Sequence, residues 1–129
     1  MKTSINLTGT LLSDDRQVRA LKTRIAKYLD RRSGVSFAEM ARDIPGFAGD
    51  VTWGREDQGI ILWAGISSAA IAALQRLLDE GRIVPTPTTW LVYNFDGAVL
   101  DMPIADSIRR TYKRPHWLPV VFAGMGEAA

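Results

Sequence analysis

Apolar residues recur at three- and four-residue steps in two long stretches of the chain. In residues 14–33, Val18, Leu21, Ile25, Tyr28 and Leu29 form one stripe, which predicts an amphipathic helix. Asp14 and Asp15 suit its start, Arg31 and Arg32 suit its end, and Gly34 is placed to stop it. In residues 67–80, Ile71, Leu74, Leu77 and Leu78 form a second stripe, with Ser67 or Ser68 as cap and Gly81 as the terminating glycine. Alanines at 69, 70, 72 and 73 are good helix formers and permit close approach of a neighbour.

Shorter signals lie between and after these helices. Ser36 and Glu39 have the spacing of a capping box, and Phe37, Met40, Ala41 and Ile44 then give a short buried face that Pro45 and Gly46 end. Residues 45–65 are punctuated by Gly46, Gly49, Gly54 and Gly59. Ile60–Trp63 has the length of a buried strand, with Val51–Trp53 as a weak hairpin partner across an exposed GREDQG tip. Trp90–Phe95 is rich in aromatic and β-branched residues. Followed by Asp96-Gly97, it predicts a strand, a two-residue type I′ turn and a return over Ala98–Ile104. Phe95/Ala98, Tyr93/Leu100 and Leu91/Met102 would then line one face. Ile83 and Val84 start the same sheet, which Pro85 and Pro87 break or hold at an edge. Trp117–Phe122 is apolar and is expected to return to the core or a sheet edge, or else to bind another chain; GMGEAA reads as a frayed end.

Charge changes this picture. Net charge is +5 over residues 1–32, −6 over 33–106 and +3 over 107–129. Basic ends around an acidic middle fit a phosphate-bearing partner; they equally fit an embrace of the chain's own acidic segment or of a second copy's. On the first helix Arg16, Arg19, Arg24, Lys27 and Arg31 fall opposite the apolar stripe, as a solvated face or a phosphate-contacting one. Arg109, Arg110, Lys113 and Arg114 form a basic arm beside Tyr112, His116 and Trp117. Such an arm can follow a nucleic-acid backbone, or its charges can pair with Asp101 and Asp106.

The chain has no cysteine and one histidine. Disulfides, thiolate zinc sites, cysteine nucleophiles and His-rich metal sites are thereby excluded. The acid pairs Asp14/Asp15, Glu56/Asp57 and Asp79/Glu80 carry no mark of a buried catalytic pair, so no enzyme, metal or cofactor is expected. Four tryptophans, at 53, 63, 90 and 117, are expected to form one cluster tying the 45–65 segment, the hairpin and the tail to the core, with Trp53 the one most open to a partner, and Trp117 a second partner candidate if the tail is free. Residues 1–13 lack the apolar run of a signal peptide and no stretch approaches the length of a membrane span, which reads as a cytoplasmic protein.

Helix, short Gly34-Val35-Ser36 link, capped helix, long helix ending at Gly81, then the Asp96-Gly97 hairpin: over roughly residues 14–104 this order resembles the winged helix-turn-helix superfamily. The resemblance implies an α+β fold, a winged-helix-like three-helix core with a small antiparallel sheet of hairpin wing plus added strands. The domain would span 14–106 with an insertion at 45–65, preceded by an extension at 1–13 and followed by the basic arm and an apolar tail packed on the domain. Many members place the third helix in the DNA major groove and the wing on the backbone; others are protein-interaction modules. This sequence departs from the DNA-reading pattern in its 21-residue connection between the second and third helices. It departs also in a third helix offering only Gln75 and Arg76 to bases, near its middle. The expected nucleic-acid surface is therefore Arg24, Lys27 and Arg31 together with the 109–114 arm, supplemented by Gln75 and Arg76. DNA binding, as a transcriptional regulator or accessory factor, is the first functional expectation, and a protein-interaction module without nucleic-acid binding is the second. A homodimer is compatible with both.

Overall fold

The computed structural model describes residues 7–125, with side chains from Asp15 onward. The predicted frayed end, from residue 126 on, and residues 1–6 of the extension lie outside this range. Within it the fold is mixed α+β, with four helices and two three-stranded sheets. The order is α1 (Leu7–Leu29), β1 (Val35–Ser36), α2 (Phe37–Asp43), β2 (Ala48–Arg55), β3 (Ile60–Ile66), α3 (Ser68–Asp79), β4 (Ile83–Pro87), α4 (Trp90–Asp96), β5 (His116–Trp117) and β6 (Val120–Gly124).

The first helix buries Val18, Leu21, Ile25 and Leu29, as their spacing requires. It begins at Leu7, ahead of the predicted start, so residues 7–13 belong to it and Asp15 lies within it. It also ends before Gly34: Arg31 takes the left-handed conformation at φ 64° and the Arg32 N–H closes on the Leu29 carbonyl. The third helix follows its caps closely. The Ser67 hydroxyl accepts from Ala70 N–H, and Gly81 and Arg82 N–H groups close back on Leu78 and Leu77 carbonyls. Its buried stripe is Ala70, Ala73, Leu74 and Leu77; Ile71 and Leu78 are only half-buried. Two fully buried alanines on that stripe leave room for a close neighbour, and α1 packs along this helix.

The capping box forms by half. The Ser36 hydroxyl accepts from Glu39 N–H at 3.0 Å, but Glu39 does not reach back; its carboxylate takes the Tyr28 hydroxyl at 2.6 Å. Ser36 instead donates to Asp96 at 2.6 Å, joining the start of α2 to the end of α4.

The predicted wing hairpin is absent. Trp90–Asp96 is a helix, and Asp96-Gly97 ends it: Gly97 sits at φ 98° while its own N–H and that of Ala98 bond the Asn94 and Tyr93 carbonyls. Positive φ serves both a type I′ turn and a helix C-cap, so the dipeptide did not discriminate between them. The consequence for facing is large. A strand would put Leu91, Tyr93 and Phe95 on one side, whereas the helix turns Tyr93 into the core and Leu91 and Phe95 outward.

One sheet has the order β1-β6-β4, all antiparallel, with Val35 and Pro85 flanking Phe122. The proline-bearing strand is at an edge, where missing N–H donors cost nothing. The other sheet has the order β2-β3-β5: an antiparallel hairpin with Trp53 opposite Trp63, joined in parallel by His116-Trp117 along Ile60-Ile61. The 117–122 segment therefore returns to both sheets. Phe37 links them, its ring 6.0 Å from Trp63 and 5.2 Å from Phe122. Trp63, Tyr93 and Trp117 pack on one another at 4.9–6.1 Å. Three tryptophans thus share one cluster; Trp90 stays outside it, exposed on α4.

Within this core the Tyr93 hydroxyl accepts from Phe37 N–H at 3.1 Å and donates to the Val120 carbonyl. Burial raises its pKa well above the usual range, so it stays a donor. Tyr93→Phe keeps the packing and strands both backbone groups. A loss of about 1–3 kcal/mol in urea-unfolding free energy is expected, and a loss within error would show that water replaces the hydroxyl.

Candidate nucleic-acid interface

The basic arm is a shaped loop rather than a free linker. Tyr112 N–H donates to the Gln58 carbonyl and His116 N–H to that of Gly59, both at 2.8 Å. The Gln58 side-chain amide donates to the carbonyls of Ile108 and Arg110. The Tyr112 hydroxyl accepts from Asp106 N–H at 2.8 Å, and its ring stacks on His116 with centroids 3.9 Å apart. At the arm's base Ala105 N–H donates to the Trp117 carbonyl, and Trp117 N–H to that of Pro103. Each bond anchors backbone or ring, so the arm's shape is held without using its cations.

Those cations point to solvent. Arg109, Arg110, Lys113 and Arg114 are all exposed. Arg110 lies 3.6 Å from Asp106, a pair too exposed to be worth much. Arg109, Lys113 and Arg114 have no ion pair within 4 Å among the described residues. Arg55, exposed at the end of β2, stands across Ile60 from His116 and adds a fifth cation to this end of the hairpin. Glu56 and Asp57, in the 3-10 turn beside it, are exposed acids.

The first helix supplies a second basic area. Arg24 donates to the Pro45 carbonyl at 3.2 Å, next to Gly46, whose carbonyl receives the Ser67 hydroxyl. Arg24 thus stands near the base of the hairpin and the arm near its tip, separated by the length of β3, roughly 20 Å. Arg16 and Lys27 are exposed along the same helix, whereas Arg31, expected on that face, is exposed in the turn beyond the helix end. Lys27, with Arg19, Lys22, Thr23, Asp30 and Arg82, lines an open cleft of about 470 Å³. Lys22 and Arg82 both pair with Glu80 there, at 2.5 and 3.3 Å. The cleft was not legible in sequence, because Arg82, just past the end of α3, is distant in sequence from the α1 residues it joins.

The remaining candidates separate. Gln75 and Arg76 are exposed on α3, but Arg76 is bound to Asp15 at 3.1 Å, and Asp15 also holds Arg19. Trp53 is half-buried, edge-on to Phe37 at 6.1 Å. Trp117 is corrected outright as a partner contact. It is 1% exposed and its indole N–H donates to the Leu62 carbonyl, so folding has already consumed its surface. The Tyr28 hydroxyl lies 2.6 Å from the Glu39 carboxylate and 2.7 Å from that of Asp43, its one proton shared between them, which ties α1 to α2. The Arg42 guanidinium and then Tyr28 hold the Asp43 carboxyl down at about 2.

Among the described residues no group of three or more His, Asp or Glu side chains is placed to hold a metal ion, and no helix is long and apolar enough to cross a membrane. Comparison with protein-family models, curated proteins and solved structures found no match.

Proposed function

We propose that this chain is a small DNA-binding protein of winged-helix-like build, a transcriptional regulator or accessory factor that grips backbone phosphates through basic surfaces. The observation that carries the reading is the 109–114 arm, a loop fixed by its backbone that presents four exposed cations, three without an acidic partner among the described residues. A loop backbone ordered beforehand loses little freedom when its cations meet phosphate, and phosphate contacts supply most non-specific affinity. The winged-helix part of the reading rests on the order of α1, α2 and α3 alone, since the hairpin expected as the wing is replaced by α4. The modest equipment of α3 points to backbone gripping over base reading.

The test is fluorescence anisotropy with a random-sequence duplex at about 50 and 200 mM salt. Six phosphate contacts would cost roughly a thousandfold in affinity over that range. Changing Arg109, Arg110, Lys113 and Arg114 together to alanine leaves every anchoring backbone bond in place, and should reduce the salt slope by about one for each lost contact. Absence of binding at 50 mM overturns the reading.

A second reading, a protein-interaction module without nucleic-acid binding, is favoured by one specific observation: the outer face of α4 is apolar and uncovered. Under it the alanine variant would bind its partner unchanged.

A further inference from the structure

The seven-residue helix α4 has two unlike faces. Its inner face is tied down at Tyr93 by bonds to Phe37 and Val120, and at Asp96 by Ser36. Its outer face is Trp90, Leu91, Asn94 and Phe95. Phe95 is 91% exposed, Leu91 58% and Trp90 47%, and Val99, just past the cap, is 47% exposed. The helix orientation is over-determined by its buried bonds, so these side chains are held in water by the fold itself. Around Asn94 the face is apolar and carries no charged residue, and exposed apolar patches mark interaction surfaces.

We infer that the outer face of α4 is a two-fold interface with a second copy of this chain, α4 packing against its symmetry mate. Three observations select that occupant. The first is area. Aromatic side chains carry about 150–250 Å² each, so at these exposures the patch offers roughly 400 Å². Two copies with their polar rim come to about 1,000 Å², the lower bound for a specific interface. The second is length. Seven residues make a rod of about 10 Å, too short to form a groove for a long partner helix and matched to itself. The third is charge. The chain is net positive and its arm and α1 surfaces would repel a second copy, but the α4 face has no charge, and its rim carries both signs. Arg42 and Asp43 stand on α2, which packs against α4, and pair with each other at 2.9 Å, so they add no net charge beside the face. The inference does not depend on DNA binding, since it concerns a different face and is measured without nucleic acid.

The experiment is sedimentation velocity from about 1 to 200 µM in moderate and high salt. The expected result is a monomer–dimer equilibrium that survives high salt, because the contact is apolar. Leu91→Asp with Phe95→Asp should stay monomeric throughout, with an unchanged circular dichroism spectrum. Should that variant misfold, a second probe is at hand in a chain without cysteine. Asn94→Cys lies at the middle of the face and should form an interchain disulfide many times faster than Ser68→Cys on α3. A wild-type monomer at 200 µM overturns the inference and leaves the face to a different protein. So does association that continues past the dimer, or Asn94→Cys crosslinking no faster than its control.

Discussion

Phe37→Ala should lower the unfolding free energy by about 3–5 kcal/mol, the range for removing a fully buried phenyl ring. Phe37 has no exposed surface, and its ring meets four others: Phe47, Trp53, Trp63 and Phe122, at centroid distances of 5.2–6.3 Å. Trp53 and Trp63 belong to one sheet and Phe122 to the other, so the cavity opens where the sheets meet. Aromatic pairs add about 0.5–1.5 kcal/mol each beyond area, though not additively. Against a total stability of about 5–15 kcal/mol, the loss should appear as a drop of roughly 10–20 °C in melting temperature. Phe95→Ala, measured at about 1 µM, is the control: the same chemical change on an exposed ring should stay within about 0.5 kcal/mol. Similar losses for both variants would mean that burial does not govern their difference and that the aromatic core is not close-packed.

Gly59→Ala should separate the arm's geometry from its charge. Gly59 sits at φ 68°, where an L side chain costs about 1–2 kcal/mol. A Cβ there would also overlap the Tyr112 carbonyl oxygen, which belongs to backbone and cannot swing aside. The arm must move off the hairpin turn, giving up the bonds from Tyr112 and Gln58. Every cation is retained. Trypsin cleavage after Arg109, Arg110, Lys113 and Arg114 should accelerate at least tenfold, as local opening exposes the loop. DNA affinity, on the proposed reading, should fall about tenfold with net charge unchanged, the cost of ordering a freed loop on binding. Unchanged proteolysis would show that the turn does not hold the arm. Accelerated proteolysis with unchanged affinity would show that charge alone sets binding.

Local signals served well where one element decides its own form. The stripe Val18, Leu21, Ile25 and Leu29 needed only helical spacing, and the Ser67 and Gly81 caps needed only backbone chemistry. The hairpin ending at Ile60–Trp63 was legible because glycines bracket a short apolar run. Trp90–Phe95 was misread for a physical reason: β-branched and aromatic residues favour strands only on average, and tertiary partners override that preference. Here the partners are Phe37 and Val120 for the Tyr93 hydroxyl and Ser36 for Asp96, all distant in sequence. The same misreading hid the outer face of α4, because a strand would have sent Leu91 and Phe95 inward with Tyr93.

The basic arm shows the same division. Its four cations and its aromatic neighbours are plain in the sequence, which by itself determined their number, sign and spacing. Gln58 carries no local mark of its role, yet its main chain and side chain set the arm's shape from about fifty residues away. What the sequence by itself determined is the set of apolar stripes, caps and charges, since each depends on neighbours within a few residues. What only the tertiary structure decided is which of those groups are spent inside the fold. Trp117 is spent, Arg76 is partly spent on Asp15, and Arg109, Lys113, Arg114 and Phe95 stay exposed. Burial and pairing are properties of contacts between distant segments, and no local pattern carries them.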